Sequence, residues 1–509
     1  MPRSKTGTFL YHGDPPPTRR INLSLPPSKR YVTLAKEYKL QLLDITSLFD
    51  ELVLSFLPES YLPRIKWLAR RFLRRVYDNE ENEEIKGIAE VTGVEMYLVV
   101  ALNVLLDLLM GCTSGAALSL PSSTSSSSST SKEREPHMLH FRTLDWDMAP
   151  LRALLVNLEF VANGDPDSPV LATSITYVGF VGVLTGVRRG LSVSLNFRPN
   201  HDDSSWIKQA RFYGGHVAVL LGLRRSIPSV LRGLLIPRSA TGSTQTQTQT
   251  QTQTHTLPLD QAVTRIAATP STACYIILSD GHKTTVLEKD RSARSTKTYC
   301  STSFIVATNS DREMEAALAK QTPKQDPSMT MSTSSRQEHT AALITPDNNI
   351  SLLDFIGDSK ERRECMQAKW NKKVADTKRE ERRTRPNKDK SLVTDPLRRT
   401  RSARLRPSGS SSTIALQTST SMADLPEDRE RERKPERASE PEPEPEPTLE
   451  LLVTVTPEEL IAWTTTYPTT NEMTHFSAVM DPAAGKVLWV RVYEEPLDCA
   501  WHGHGIYLS

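Results

Sequence analysis

The chain has 509 residues, of which 38% are hydrophobic and 6% aromatic, and its 63 Lys and Arg residues nearly match its 60 Asp and Glu residues. A net charge of +3 does not indicate a dedicated nucleic-acid-binding protein. With 34 prolines and few aromatic residues, the chain holds too little core-forming material for several ordinary domains. We therefore expect one large domain with disordered insertions.

The first segment, residues 1–111, is predicted to be compact from residue 21 onward. Residues 21–25 alternate like a strand, and an apolar periodicity near that of an α-helix follows Pro26 and Pro27. The apolar run from Val94 to Met110 contains Glu95, Asn103 and Asp107. Because a charge inside a bilayer costs roughly 2.5 kcal/mol or more, we predict a buried helix there and not a membrane span.

Cys112 follows this helix, in the sequence Gly-Cys-Thr-Ser at residues 111–114. A thiol becomes a strong nucleophile only when a base accepts its proton, and an α-amine on the same residue, with a pKa of about 7.7–8.0, is such a base. That amine would exist only after cleavage of the Gly111–Cys112 bond. The alternative is a buried core cysteine without a catalytic role.

The remaining cysteines are Cys274, Cys300, Cys365 and Cys499. Their spacing fits neither a zinc site nor a dense disulfide framework, and His502 and His504 alone do not make a metal site. We expect no metal and no cofactor.

Strands and insertions alternate through residues 112–370, which we interpret as the catalytic core. Insertions are predicted for the serine-rich residues 115–136 and the Thr-Gln repeat at 239–256. Antiparallel strands of one sheet are predicted for residues 154–160, 170–177, 178–184 and 191–196, and helical patches within 206–235. A short helix is predicted for 262–268, with further strands at 274–279, 284–288 and 303–308.

The charged, proline-rich tract 371–449 is predicted to be a disordered linker. Residues 450–509 are predicted to return to the catalytic domain through a hairpin formed by 474–480 and 487–493.

Several of these segments together resemble the acid ceramidase and N-acylethanolamine-hydrolysing acid amidase family, whose members are N-terminal nucleophile hydrolases related to choloylglycine hydrolases. Residues 21–30 resemble the opening strand of the family's small subunit, and residues 111–114 its cleavage junction. The sequence His-Phe-Arg-Thr-Leu-Asp at 140–145 is similar to the family's Gly-Arg-Asn-Leu/Met-Asp motif. The glycine-bearing residues 178–186 and the Ala-Thr-Asn-Ser-Asp sequence at 307–311 resemble two further family segments.

The resemblance implies an α+β protein with the four-layer αββα N-terminal nucleophile hydrolase fold and disordered insertions. It implies that Cys112 is the nucleophile and that its freed amine is the general base. Asp145 would hold that amine, Arg142 would orient the pocket, and Asn309 would donate to the oxyanion. Arg363, or less clearly Arg362, would add positive charge.

One departure from the family is Phe197, which stands where acid ceramidases carry a glutamate. Asn196 could serve instead, because Leu195-Asn196-Phe197 is similar to a Leu-Asn-aromatic sequence of bile-salt and penicillin amidases. A second departure is that the chain has no cysteine before Cys112, so we expect no disulfide between the two subunits, and burial alone would have to hold them together.

The resulting hypothesis is a self-processed ceramidase that hydrolyses ceramide to a sphingoid base and a fatty acid. The alternatives are an N-acylethanolamine amidase, a bile-salt or penicillin amidase, and a non-catalytic scaffold that keeps the fold. The expected partners are a lipid amide substrate, the second subunit of a self-cleaved heterodimer and a membrane surface, without nucleic acid. Residues 1–13 lack a secretory signal, which favours an intracellular protein, whereas the resemblance implies a lysosome or vacuole.

Overall fold

The computed structural model describes residues 13–54, 57–105, 111–120, 135–146, 148–199, 205–237, 257–290, 296–313, 352–384 and 452–493. Met1–Asp376 together with Val453–Ser509 forms one compact unit, and Thr377–Leu452 forms a second. The predicted Thr-Gln insertion at 239–256, most of the serine-rich one and residues 385–449 lie outside the described residues.

The segment before Cys112 is one strand followed by helices, as its sequence predicts. Strand β1 is Thr18–Asn22, and the helices are α1 (Pro27–Arg30), α2 (Val32–Glu37), α3 (Lys39–Leu43), α4 (Ile45–Leu54), α5 (Leu62–Phe72), α6 (Asn79–Thr92) and α7 (Met96–Leu105). Helix α6 begins where the Asp78 carboxylate accepts hydrogen bonds from the N–H groups of Glu80 and Glu81, and it ends at Gly93, whose φ of 79° favours glycine. Within the described residues, no helix is long and apolar enough to cross a membrane.

The first sheet has eight strands in the order β1-β4-β5-β6-β7-β8-β9-β10. Its members after β1 are β4 (Leu155–Val161), β5 (Val170–Tyr177), β6 (Thr185–Arg188), β7 (Leu191–Phe197), β8 (Cys274–Ser279), β9 (Thr284–Lys289) and β10 (Lys297–Ser301). Strand β1 pairs with β4 in parallel, and β4 to β7 are antiparallel as predicted. The strand predicted for 178–184 is wrong, because those residues form a buried connection between β5 and β6.

The second sheet has five strands in the order β11-β2-β3-β12-β13. They are β2 (Gly111–Ser119), β3 (His137–Asp145), β11 (Phe304–Ala307), β12 (Thr474–Asp481) and β13 (Lys486–Val492). The predicted hairpin is confirmed by the pairing of β12 with β13. Strand β2 runs five residues into the range predicted as an insertion, since Gly115–Ser119 pair with Phe141–His137 of β3.

The two sheets face each other, and helices cover their outer faces. The His140 side chain of β3 connects the two sheets, because its ring nitrogens are hydrogen-bonded to the hydroxyl groups of Ser192 and Ser194 on β7. Helices α9 (Ile227–Leu235) and α10 (Leu259–Ala268) contact the first sheet, and α13 (Pro457–Thr464) contacts the second. This is the four-layer αββα arrangement implied by the resemblance.

Two further α-helices are α8 (Trp206–Leu220) and α12 (Leu352–Thr384), and short 3₁₀ helices lie at Glu59–Tyr61 and Ala149–Leu154. In α12, the Trp370 ring stacks on Phe304 of β11 with the ring centroids 5.1 Å apart. The prediction of a disordered tract from residue 371 is therefore wrong for 371–384, which are helical.

His140 should make folding sensitive to acid. Its ring nitrogens lie 2.8 Å from the Ser192 Oγ and 2.9 Å from the Ser194 Oγ, and burial together with Arg142 lowers its pKa to about 3. A histidine that is neutral when folded contributes its full stability above the unfolded pKa of about 6.5 and loses it as the pH falls toward 3. Replacing His140 with Gln should therefore reduce the loss of unfolding free energy between pH 6.5 and 5.0 by about 2 kcal/mol, measured by urea denaturation.

His137, on the same strand, is the matched control. Its hydrogen bond to Asp481 raises its pKa, so it stabilises the protein below its unfolded pKa and that contribution is lost as the pH rises through the folded pKa. Replacing His137 with Gln should steepen the loss of stability toward acid. If both variants keep the pH dependence of the unmodified chain, the buried histidine does not titrate as described.

Candidate active site

Cys112 lies at the start of β2, and its side chain is fully buried. Its backbone N–H donates a hydrogen bond of 2.7 Å to the Asn309 Oδ1. Its thiol lies 3.8 Å from the carbonyl oxygen of Leu195, on a strand of the facing sheet. The predicted nucleophile thus lies between the two sheets. Its main-chain nitrogen is hydrogen-bonded to Asn309, which lies in the loop after β11.

The surroundings of Cys112 favour the neutral thiol. Burial raises the pKa of Cys112 to about 11, the nearby Arg142 opposes that rise, and Asp145 adds to it. The N–H of Phe197 and the charge of Arg362 also lower the pKa, without offsetting burial. A thiol in this state needs a proton acceptor before it can attack, as the sequence argument requires.

Arg142 extends from β3 into the space between the sheets and is fully buried. Its Nη1 donates to the Ser114 Oγ over 2.9 Å and to the Asn196 Oδ1. The Ser114 hydroxyl donates to the same amide oxygen over 2.8 Å. Within the described part of the chain, the Nε and Nη2 of Arg142 have no hydrogen-bond partner, so two nitrogens of a buried cation, with three N–H groups, remain able to bind a ligand.

Asp145 lies beside the bond that would be cleaved, because the β2–β3 register pairs it with Gly111. A Cβ atom at Gly111 would lie 3.2 Å from the Cβ of Asp145. The Asp145 Oδ1 accepts a hydrogen bond of 2.7 Å from the Thr474 hydroxyl, and its Oδ2 lies 3.3 Å from the Arg362 Nη1. Burial raises the pKa of Asp145, while Arg362 and then Thr474 oppose that rise.

Asn309 has both ends of its amide engaged. Its Oδ1 accepts from Cys112 and, over 3.2 Å, from the Arg362 Nη2, and its Nδ2 donates over 2.8 Å to the carbonyl of Phe197. The loop is anchored from α12, since the Asn309 N–H donates to the Ser359 Oγ over 2.8 Å. In this uncleaved chain Asn309 therefore holds the nitrogen of Cys112, where the sequence analysis expected an oxyanion donor.

Asn196 is also fully occupied. Its Nδ2 donates to the carbonyl oxygens of Ala307 and Thr308 over 3.2 and 3.1 Å, which ties β7 to the end of β11. Its Oδ1 accepts from Arg142 and Ser114. Asn196 thus lies beside Arg142, where it can orient the guanidinium.

The structure brings Arg362 to this cluster and not Arg363, which was the preferred residue in the sequence analysis. Arg362 is 5% exposed and contacts Asp145 and Asn309. The charges that act on Arg363 come from Arg312, Glu364 and Glu288, and burial lowers its pKa. Successive helix residues point about 100° apart, which is why only one arginine of the pair reaches the site.

Sequence reasoning missed three hydroxyl groups, those of Ser114, Thr474 and Ser359. Each one bonds a predicted site residue across a sheet or from a distant helix. Ser114 could have been found from its position, because alternate strand residues share a face and it lies two residues after Cys112. The other two have no local signal. Among the described residues, no group of His, Cys, Asp or Glu side chains could hold a metal ion.

Comparisons with known proteins give one family model and several relatives that are similar to parts of this chain. The family model described as the beta subunit of N-acylethanolamine-hydrolyzing acid amidase matches residues 14–77. The N-acylethanolamine-hydrolyzing acid amidase of Caenorhabditis elegans is 30% identical over 189 residues, which is 35% of this chain and 47% of that protein. The acid ceramidase of Mus musculus is 29% identical over 203 residues, covering 37% of this chain and 47% of the relative.

The chain thus spans about half the length of the curated relatives that it matches. A solved structure of the Caenorhabditis elegans N-acylethanolamine-hydrolyzing acid amidase ortholog aligns with 75% of this chain and all of that one, at 16% identity and a TM-score of 0.37. The family model and the sequence relatives confirm the resemblance stated from the motifs.

Proposed function

We propose that this chain, a relative of the N-acylethanolamine-hydrolyzing acid amidases and acid ceramidases, is a cysteine amidase that cleaves its own Gly111–Cys112 bond. It then hydrolyses the amide of a long-chain N-acyl lipid. The observation that supports this most strongly is the 2.7 Å hydrogen bond from the Cys112 N–H to the Asn309 Oδ1. The nitrogen held there is the atom that cleavage would release as an amine.

Self-cleavage would begin with attack of the Cys112 Sγ on the carbonyl carbon of Gly111. The C–N bond breaks, the thiol proton passes to the departing nitrogen, and a thioester joins Gly111 to the sulfur. Water then hydrolyses the thioester and frees both the Gly111 carboxylate and the thiol. Asp145 lies beside Gly111 and can hold the new ammonium, since an acidic side chain stabilises a cation at short range.

Hydrolysis of a substrate would repeat this chemistry with a base present. The freed amine of Cys112 accepts the thiol proton, the sulfur attacks the amide carbon, and the leaving amine takes the proton. Water, giving a proton to the amine of Cys112, then attacks the acyl-thioester, and the fatty acid and the free thiol are released. The Nε and Nη2 of Arg142 are the donors that we assign to the oxyanion, because both lack a partner among the described residues. Asn309 keeps the amine oriented through its Oδ1, and Asn196 holds Arg142 in place.

Ceramide is our first choice of substrate, with an N-acylethanolamine as the second candidate. The opening residues 21–30 look closer to ceramidases, whereas the family model that matches residues 14–77 is named for an N-acylethanolamine-hydrolyzing acid amidase. Both substrates carry one long acyl chain on an amide nitrogen. Phe197 is the residue at which this chain departs from the ceramidase motif, so we expect the head-group preference to differ from theirs.

Helix α5 supports contact of this enzyme with a membrane surface. Its Trp67, Leu68 and Phe72 side chains are 65%, 40% and 48% exposed. Its charged residues are all basic, and two of them, Lys66 and Arg70, also pair with Asp50 and Glu95. Exposed aromatic and basic groups on one helix are typical of binding to an anionic lipid surface. Replacing Trp67 with Ser should weaken co-sedimentation with anionic phosphatidylserine vesicles, and unchanged binding would exclude α5.

The test of the proposed function is a mass spectrum of the purified protein, followed by assays with ceramide, an N-acylethanolamine and a conjugated bile salt. We expect two fragments, one of which begins at Cys112, and release of fatty acid from ceramide. An intact chain at both acidic and neutral pH, with no hydrolysis, would favour the scaffold alternative. Preferred hydrolysis of the bile salt would favour the related amidase class.

A further inference from the structure

Helices α6 and α9 are joined by a set of polar contacts that we call the α6–α9 ladder. Its contacts are Arg225 Nη2 to Asp78 Oδ2 at 2.5 Å, Ser229 Oγ to Glu81 Oε1 at 2.8 Å, and Arg232 Nη2 to Glu84 Oε1 at 2.7 Å. Asp78 caps the start of α6, and Arg225 lies two residues before α9. Glu81 and Glu84 are three residues apart on α6, and Ser229 and Arg232 are three apart on α9, which places each pair on one face of its helix.

The Glu84–Arg232 contact of the ladder is buried. Glu84 and Arg232 are 1% and 5% exposed, and the Arg232 Nη1 also lies 2.7 Å from the Glu84 Oε2, an ion-pair contact beside the single hydrogen bond from Nη2 to Oε1. Arg30 of α1 adds a second cation, 2.9 Å from the Glu84 Oε1. A hydrogen bond between a guanidinium and a carboxylate that is shielded from water is among the stronger polar contacts in proteins.

Every carboxylate of the ladder precedes the Gly111–Cys112 bond, and each of their partners on α9 follows it. The same division holds for Asn103 of α7, whose amide donates to the Gly179 carbonyl and accepts from the Val181 N–H, both over 2.8 Å. Val181 is in turn tied to the ladder, because its carbonyl oxygen accepts from the Arg232 Nη1 over 2.6 Å. The polar contacts of these helices therefore run across the proposed cut.

We infer that the α6–α9 ladder is a polar clamp that, beside the pairing of β1 with β4, keeps the N-terminal segment bound to the rest of the enzyme after cleavage. The segment before Cys112 contributes the three carboxyl groups, of which Glu81 has its pKa raised to about 7 by burial, and the segment after it contributes the two arginines and Ser229. This inference rests on the self-cleavage of the proposed function. It assigns to Arg232 and Ser229 a role in association of the fragments, separate from the chemistry at Cys112.

Removing one side of the buried pair should weaken association severely. Arg232→Met leaves Glu84 with less compensation in a dry environment, so we expect the dissociation constant of the two fragments to rise on the order of 100-fold or more. Ser229→Ala removes only one hydrogen bond to a carboxylate and should raise the constant about tenfold. The milder variant keeps the test available if Arg232→Met does not fold.

Matched controls lie within the segment after Cys112. Arg188 is buried, and its guanidinium donates to the carbonyls of Leu234, Arg189 and Leu257, so Arg188→Met removes a buried arginine without touching the N-terminal segment. Ser174 donates to the Thr185 carbonyl over 3.1 Å and provides the same comparison for Ser229. The control substitutions Arg188→Met and Ser174→Ala should leave the dissociation constant within about threefold of that of the parent protein.

The experiment measures separation of the fragments on dilution, by native mass spectrometry, in two full-length proteins. One is the chain as it processes itself. The other carries Cys112→Ala and a site-specific protease sequence inserted between Met110 and Gly111, and is cut in vitro. If the first protein stays intact, the proposed self-cleavage fails, while the second still tests the clamp.

The inference is supported if Arg232→Met and Ser229→Ala separate at higher concentrations than their controls in the cut protein. It is overturned if ladder and control variants separate alike, or if no variant separates more readily than the parent. Neither outcome depends on whether the chain cleaves itself, because the second protein is cut by the added protease.

Discussion

Replacing Cys112 with Ala is expected to leave the chain uncut at 56.9 kDa and to abolish amide hydrolysis. The sulfur is the nucleophile in both proposed reactions, and alanine has no atom that can form the thioester. Loss of a nucleophile commonly costs several orders of magnitude in rate, so we expect a decrease of at least about 1000-fold. Denaturing electrophoresis measures the cleavage, and release of fatty acid from ceramide measures the hydrolysis.

Cys274→Ala is the control for loss of a buried thiol. Cys274 is 2% exposed, close to the full burial of Cys112, but it lies on β8 in the other sheet. The control should be cut and active to within a few fold, with a stability loss similar to that of Cys112→Ala. Should Cys112→Ala still be processed or still release fatty acid, the proposed function would be wrong.

The raised pKa of Cys112 gives a second readout in chains that keep this thiol, compared before and after they are cut. In the uncut chain burial raises the pKa of the Cys112 thiol to about 11 and shields the sulfur from solvent, so alkylation by iodoacetamide at pH 7 should be slow. After cleavage the adjacent amine can accept the proton. Faster alkylation of the cut protein than of the uncut one would support the freed amine as the base, whereas equal rates would remove that role.

The sequence predicts which residues of the candidate site meet where those residues lie on adjacent strands. Cys112, Arg142 and Asp145 follow from two short motifs, and the pairing of β2 with β3 brings those motifs together. The pattern could not give the orientation of Asn309, because its hydrogen bonds depend on Phe197 and on α12, far away in sequence. A motif specifies which side chain is available, whereas its partners are determined by packing.

The fold was predicted where the hydrophobic periodicity differs between helix and strand. The connection at 178–184 was not, because its apolar residues are buried against α7 and carry the same signal as a buried strand. The charged residues 371–384 were also misassigned, since a dense mixture of Lys, Arg and Glu is compatible with a solvated helix as well as with disorder.

Arg362 and Arg363 provide the sharpest test of the site geometry. Arg362→Met removes the ion pair with Asp145 and the hydrogen bond to Asn309, and leaves the Asp145 carboxylate buried without that cation. Asp145 and Asn309 would both lose a partner that positions them at Cys112, and a misplacement of about 1 Å can cost on the order of 100-fold in rate, so we expect processing and hydrolysis to slow by about that factor. Arg363→Met, one residue further along the helix, should slow them less than about threefold.

The pH profile separates a positioning role of Arg362 from a loss of folding. Arg362 opposes the effect of burial on the pKa of Asp145, so without it that pKa rises further and the carboxylate ionises only at higher pH. The rate of the Arg362→Met variant should therefore recover partly as the pH is raised. The Arg362→Lys variant keeps the positive charge, so its rate should be closer to that of the parent protein at each pH. A uniform loss at every pH, or an equal loss in Arg363→Met, would show that the arginine acts only through the stability of α12.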